Sequence, residues 1–387
     1  MKLVFSVDAI FPPLTGIGRY AYELATRLPR FEQVEELRLL DMFRWRQTVP
    51  GLQDQASGQP VPWSSRWQGQ VRQALASRHW AVEVYDRVSE RRRRQMLRQA
   101  NGFVYHSPNY FLAAHDGPSV ATVHDLSLRR FPQMHPSARR RYFDLAFERS
   151  LQRAAMLITD SEAVRQELIT DYGVAPERVK AVHLGVDPVF RPRPAAELRP
   201  VLDRLGLTQG RYTLAVATLE PRKKLDQLMR AYAQLPAALR ATYPLVLTGA
   251  PGWLNTSMQT LIEQARAQGW LHYLGFVPQA DLPSVYAGAH AYAMTSIYEG
   301  FGLPMLEAMA CGVPVLTSTL SCMPEVAGGA ALLANPDDLD ELRQQLERLL
   351  TDHAWREAAV SRGLARAKEL SWDRCVAETV AVYQAIA

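Results

Sequence analysis

Cysteine is scarce: three residues, Cys311, Cys322 and Cys375, occur in a chain of 387. They form no CxxC or metal-type spacing, and an odd count argues against a disulfide framework, so they read as packing residues in a reducing compartment. Long apolar runs are missing as well. None approaches the ~18 residues that a membrane-spanning helix needs, and the opening MKLVFSVDAIF lacks the small-residue cleavage site of a secretory signal. The expectation is a cytoplasmic protein. Clusters of His, Cys and carboxylate with metal-ligand spacing are also lacking, which leads to the expectation that no metal or other cofactor is used.

What is present describes an ordinary folded protein, with 48% hydrophobic and 21% charged residues. The length exceeds the ~250 to 300 residues at which one core usually splits, so two domains are expected. The formal charge of +5 is unevenly spread. Residues 1–200 hold 29 Lys/Arg against 21 Asp/Glu, whereas residues 201–387 hold 15 against 18. A basic first half points to an anionic partner, lipid head groups or a polyanion.

Short β-rich runs alternate with helical patterns: KLVFSVDA then GRYAYELATRL, SVATVHD then residues 137–155, AMLITDS then EAVRQELITDYG. After the Pro/Arg-rich GVDPVFRPRPAAELRP the alternation restarts with YTLAVATLE, YPLVLTGAP, WLHYLGFV, AHAYAMTS and GVPVLTS. Such alternation means parallel βαβ units, hence an α/β chain of two Rossmann-like, doubly wound domains joined near residue 190. Ligands of such sheets bind beyond the carboxyl ends of strands. That filter selects His106, His124, Asp125, Glu220, Gly249 and Glu299, each expected where a strand runs out.

The passage from about 45 to 100 reads differently. Trp63, Trp67, Val71 and Leu75 recur every four residues near Arg66, Arg72 and Arg78, and the passage ends in ERRRRQMLRQA. Two readings stand: a core-facing stripe with a solvated back, or an interfacial surface for anionic lipid with tryptophan at head-group depth. The first is the usual reading of a single helix, and the charge asymmetry brings the second level with it.

Two motifs are weighed and set aside. GIGRYA (residues 16–21) matches G-x-G-x-x-A, with Asp41 placed as a ribose-binding acid. Yet IFPPLT separates its first glycine from the strand, which weighs against a nicotinamide cofactor. Asp338-Leu339-Asp340 has the D-x-D form of metal-dependent sugar transfer, but a helix opening capped by Asn335, with Pro336 at its first position, explains it. A third alternative, a nucleic-acid binder gripping through Arg91–Arg94 and Arg139–Arg141, lacks interleaved aromatics.

EPRKK (residues 220–224) follows a strand and opens a helix. Arg222 and Lys223 in a first turn would oppose the helix dipole, a conflict that a phosphate ligand resolves. In SIYEGFGLPMLEAMACGVPV, Gly300 and Gly302 permit close backbone approach, Pro304 suits the first helical turn, and Glu307 is expected within that turn. With Glu299 before the glycines, two carboxylates flank a set of helix N–H donors. Carboxylates accept from hydroxyls and N–H groups hold phosphate, so the ligand implied is a nucleotide sugar.

These words resemble the GT-B glycosyltransferases, specifically the retaining glycosyltransferase family four. The resemblance rests on GIGRYAYEL, VATVHDLSLRRFP, DSEAVRQEL, VHLGVDPVFRP, TLEPRKKLDQLMRAY, the E-x7-E block and PEVAGGAALLANPDD. It implies a domain 1–190 that binds acceptor, a domain 191–371 that binds donor across a central cleft, and a helix from 372 to 387 that crosses back. It further implies that Glu307 accepts from ribose hydroxyls and Glu299 contacts the transferred sugar. The amides of Phe301, Gly302 and Leu303 would lie near sugar and phosphate, and Phe276 and Val277 near the base. Arg222 and Lys223 would neutralise the diphosphate, Gly16 and Gly18 would approach it, and His124 would sit against the sugar. Thr218 stands where many members carry Arg, so Arg222 would supply that charge. The wording is similar to mannosyl- and rhamnosyltransferases of O-antigen or capsule assembly. The implied donor is GDP-mannose or a GDP-deoxyhexose, with UDP-sugars as the alternative. The implied acceptor is lipid-linked or polymeric glycan at the inner face of the plasma membrane, with no nucleic acid as partner.

Overall fold

The computed structural model describes residues 1–11, 14–51, 79–135, 137–250 and 256–387. The stripe of Trp63, Trp67, Val71 and Leu75, with Arg66, Arg72 and Arg78, lies outside the described residues. The chain divides into two compact units, Met1–His183 with Trp372–Ala387, and Leu184–Ser371.

In the N-terminal unit the strands are β1 (Lys2–Ser6), β2 (Glu36–Asp41), β3 (Arg44–Arg46), β4 (Val104–Ser107), β5 (Ser119–Val123), β6 (Met156–Thr159) and β7 (Val179–Ala181). They form one sheet in the order β3-β2-β1-β4-β5-β6-β7. Every pairing is parallel except β2 with β3. All residues of β4 and β5 are buried, as expected of a parallel sheet covered on both faces. Local chemistry sets the helix ends. The Thr15 side chain accepts from Gly18 N to start Gly16–Arg27, and Ser161 accepts from Val164 N to start Glu162–Tyr172, which ends on left-handed Gly173.

Trp372–Gln384 is a helix of this same unit. Its Tyr383 hydroxyl lies 2.5 Å from His106 Nδ1, while His106 Nε2 lies 2.8 Å from Thr122 Oγ1. His106 is thus not at a strand tip as the sequence pattern implied, but the third residue of β4. Burial, helped by the charge of His124, pushes its pKa down to about 3, so it is a neutral histidine tying the last helix to the sheet.

Much of the basic charge of this unit is already paired. Arg149 donates to Asp86 at 2.6 Å and Arg153 lies 2.8 Å from Glu90, while Arg141 pairs with Glu83 and Arg93 with Asp8. These contacts fasten the helix His79–Leu97 to Ser137–Arg153 and to the tip of β1. Asp41, the acid that a dinucleotide would need, is taken up by Arg44 and Arg46 at 2.9 and 2.6 Å.

In the C-terminal unit the strands are β8 (Thr213–Val216), β9 (Leu245–Thr248), β10 (Leu271–Gly275), β11 (Ala291–Met294), β12 (Val315–Ser318) and β13 (Leu332–Ala334). All are parallel, in the order β10-β9-β8-β11-β12-β13. The order reverses between β8 and β11, and a crevice forms at such a switch point. Gly249 is required here: with φ +149°, a Cβ would lie 1.9 Å from the Ala217 carbonyl oxygen. The acids of NPDDLDE cap a helix, but one turn later than expected. Asp338, not Asn335, caps Leu339–Thr351 by accepting from Glu341 N, and Asn335 closes a turn by accepting from Asp337 N.

Candidate active site

Two chain segments meet at the β8/β11 switch point. The first runs from β8 through a 3-10 turn, Pro221–Lys223, into the helix Leu225–Ala233. The second leaves β11 and reaches the helix Leu303–Ala310 through Glu299 and the glycines. Backbone bonds stitch them together. Ile297 N donates to Arg222 O at 2.9 Å, and the Thr295 hydroxyl donates to Lys223 O at 3.0 Å.

The stitching brings three charged side chains into contact. Lys223 Nζ lies 2.5 Å from Glu299 Oε1, and Arg222 Nη1 donates to Glu299 Oε2 at 2.8 Å and to Tyr298 O at 2.9 Å. Arg222 Nε also lies 3.4 Å from Glu220. Glu299 is 8% exposed, and its backbone is pinned on both sides by the Ser321 hydroxyl at 3.2 and 2.8 Å. Burial alone would raise its pKa. The charges of Lys223 and then Arg222, with hydrogen bonds from Lys223 and Ser296, instead bring it down to about 2.

This geometry corrects the expected arrangement of EPRKK. Arg222 and Lys223 precede the helix rather than filling its first turn, which carries Asp226, and left-handed Lys224 at φ +50° sits between. The anion that offsets the two cations is therefore supplied within the chain, by Glu299. Glu307 moves as well. The helix begins at Leu303 and has no acid in its first turn, so Glu307 stands in the second, on the side of Tyr286 and Tyr292, whose hydroxyl pKa values it helps burial to raise.

The remaining residues around this loop fall into place from the backbone. Gly302 takes φ +95° at the helix cap, where a Cβ would lie 3.0 Å from Met323. Phe301 is buried, and in the first turn Pro304 carries no N–H while Met305 N donates to Gly302 O at 3.0 Å. Phe276 and Val277 follow β10 at the sheet edge, the first 61% exposed and the second buried. They make no described contact with the charged triad.

In the N-terminal unit Gly16 and Gly18 open the first helix, with Gly18 close-packed because a Cβ there would lie 2.8 Å from Ala9 O. His124 follows β5 and is 5% exposed. Its Nδ1 lies 2.8 Å from Asp160 Oδ2 and its Nε2 2.8 Å from Pro108 O, so both ring nitrogens face acceptors. Burial lowers the His124 pKa, but the charge and hydrogen bond of Asp160, joined by the Pro108 carbonyl, raise it. The ring is held between two acceptors, a setting that favours its protonated form. Asp160 was missed in the sequence, although it too stands at the end of a strand, β6. Among the described residues no group of His, Cys, Asp and Glu gathers to hold a metal ion, and no helix is long and apolar enough to cross a membrane.

Two family models match the chain: Glycosyl transferases group 1 over residues 204–365 and Glycosyltransferase Family 4 over residues 14–190. The chain is 37% identical over 384 residues to the O-antigen chain mannosyltransferase B of Escherichia coli, spanning 99% of this chain and 100% of that relative. Among solved structures, WaaG, a glycosyltransferase involved in lipopolysaccharide biosynthesis, aligns with a TM-score of 0.71 and 16% identity over 98% of this chain and 99% of its own. HepE of Anabaena in complex with UDP-glucose aligns with a TM-score of 0.70 and 18% identity over 100% of this chain and 99% of its own.

Proposed function

Because the chain belongs to the family four glycosyltransferases and has their GT-B fold, we propose that it moves mannose, or a deoxyhexose such as rhamnose, from a GDP-linked donor to a lipid-linked or polysaccharide acceptor. The product would be O-antigen or a similar glycan. The observation that carries this reading is the contact of Arg222 and Lys223 with Glu299 at the mouth of the helix Leu303–Ala310. Two cations and a helix N-terminus, set where a diphosphate can replace one carboxylate, stabilise a leaving nucleoside diphosphate without a metal.

The reaction is proposed to retain anomeric configuration. The bond from C1 to the diphosphate oxygen breaks as an acceptor hydroxyl attacks the same face, and its proton passes to the departing phosphate oxygen. Glu299, released from its cations, would accept from the sugar hydroxyls, and Glu307 from the ribose. His124 contributes positive charge; with both nitrogens engaged it does not abstract the proton. Membrane association would fall to the N-terminal unit, where Val84, Tyr85 and Val88 are exposed on the helix that also presents Arg91, Arg92 and Arg94. A UDP-sugar donor is the second reading, favoured by the UDP-glucose held by the HepE neighbour.

Ligand-observed NMR on the full chain, with GDP-mannose, GDP, UDP-glucose, UDP and NAD and no added metal, tests the proposal. GDP ligands should bind selectively, and Glu307→Ala should abolish it. Binding of UDP ligands instead would replace the donor; binding of NAD alone would overturn transfer.

A further inference from the structure

Two cavities open in the N-terminal unit. One of about 200 Å³ lies beyond the carboxyl ends of β1 and β4, lined by Tyr85, Phe111 and Tyr142 and by Asp8 and Arg93, whose charges pair with each other. The other, of about 470 Å³, has Arg129 and Arg130 in its wall, paired with Asp144, Glu167 and Asp171. In both, the basic groups are already paired, so neither cavity names a ligand.

A chain of buried polar groups in the same unit leads further. It starts in the last helix, where the Tyr383 hydroxyl meets His106 Nδ1 at 2.5 Å, and passes from His106 Nε2 to Thr122 Oγ1 at 2.8 Å. It ends at the Tyr20 hydroxyl, 2.9 Å from Thr122 Oγ1. All four side chains are fully buried, where an unmet hydrogen bond is costly. Burial also keeps them neutral: it holds His106 deprotonated and raises the hydroxyl pKa values of Tyr20 and Tyr383 well above the ordinary value.

Tyr20 is where this chain touches the candidate site. Its ring centroid lies 5.1 Å from that of His124 with the planes at 84°, and Tyr110 flanks the same imidazole at 5.8 Å and 77°. Asp160 and Pro108 fix the two ring nitrogens, but a hydrogen bond tolerates about 30° of misalignment, so the tilt of the imidazole is set by what packs against it. Both walls are anchored. Tyr110 holds a left-handed backbone, φ +59°, which a residue other than glycine rarely adopts. Its hydroxyl donates to Asp125 Oδ1 at 3.3 Å and accepts from Asp125 N at 3.1 Å. The anchor of Tyr20 is the chain to the last helix. A phenylalanine would fill the same space; the hydroxyl is what ties the ring to Thr122.

We infer that Tyr20 is a positioning residue for His124, and that Tyr383, through His106 and Thr122, sets where Tyr20 stands, so that the last helix takes part in the transfer His124 serves. This rests on the reading of His124 as the positive group beside the transferred sugar.

Steady-state transfer and histidine-ring nitrogen NMR on the full chain test this in Tyr383→Phe and Tyr20→Phe, which keep ring and volume and remove only a hydroxyl. Each should lower kcat about tenfold, the scale of a sub-ångström displacement where 1 Å costs ~10²-fold, with donor KM unchanged to within about twofold. Each should also shift the His124 ring signals, assigned by their loss in His124→Gln. Added to His124→Gln, neither should lower kcat further, because the effect passes through the imidazole. Either variant suffices if the other does not fold. Wild-type kcat, unmoved His124 signals, or a loss that adds to that of His124→Gln overturns the inference. Wild-type transfer by His124→Gln itself would instead strike the reading of His124 beside the sugar.

Discussion

The two sheets present opposite chemistry at their switch points. Between β8 and β11, Glu299 joins Lys223 and Arg222 in a nearly buried ion triad, while between β1 and β4 a neutral, aromatic cavity opens. One repeated topology thus carries a charged cluster in one unit and a neutral cavity in the other. The difference arises from the segments after the strands and, in the N-terminal unit, from the helices that carry Tyr85, Arg93 and Tyr142. A second contrast lies within the charged groups themselves. The His124–Asp160 pair is closed, with both imidazole nitrogens engaged by protein acceptors. The Glu299 triad stands just before the helix Leu303–Ala310, where on the proposed reading a ligand anion would take over its cations.

The closed pair gives the largest expected effect. Asp160→Asn leaves the buried His124 without its counter-charge, and unfolding free energy should fall by about 3–5 kcal/mol, read by urea titration. A change below ~1 kcal/mol would mean that the two pairs are not different in kind. Lys223→Met takes one of the two cations from Glu299, so it should cost part of the stability that the triad contributes, and it should lower the rate of transfer by ~10²–10³, equivalent to ~2.7–4 kcal/mol in the barrier. A loss under tenfold would remove Lys223 from the leaving-group site.

The triad also sets a pH window. The Glu299 pKa is held near 2 in the folded protein against 4.5 for the free group. Its contribution is complete above about 4.5 and is lost as pH falls toward 2, on the order of 3 kcal/mol. Stability measured across that range should fall less steeply in Glu299→Gln; identical acid limbs would contradict the pairing. The smallest effect belongs to neither site. Asp338→Ala removes the cap of Leu339–Thr351 and should cost about 1 kcal/mol, with transfer unchanged. Loss of activity there would revive a role for the D-x-D.

The alternation of strands and helices was legible because the buried strands of a parallel sheet are short continuous apolar runs, bounded here by caps such as Thr15 and Ser161 and stops such as Gly173. The same logic blurs at boundaries. Asn335 and Asp338 are both competent caps, and only packing chooses between them. His106 looked like a tip residue because GFVY ends in apolar character, but the strand continues through it. In the site, the words EPRKK and E-x7-E stood out, yet their mutual contact did not. Lys223 and Glu299 are separated by 76 positions, and which strand tips adjoin depends on a strand order that composition does not encode. His124 and Asp160, 36 positions apart, were separated in the same way, and only one of the two drew notice.

The central claim is that Glu299 holds the two cations that a donor diphosphate takes over. Calorimetry of GDP binding to the wild type and to Glu299→Gln, alongside transfer assays of both, tests it most directly. The neutral variant frees Arg222 and Lys223, so GDP should bind it more tightly even as transfer collapses. Weaker GDP binding in Glu299→Gln would contradict the exchange and leave the triad as a structural ion pair.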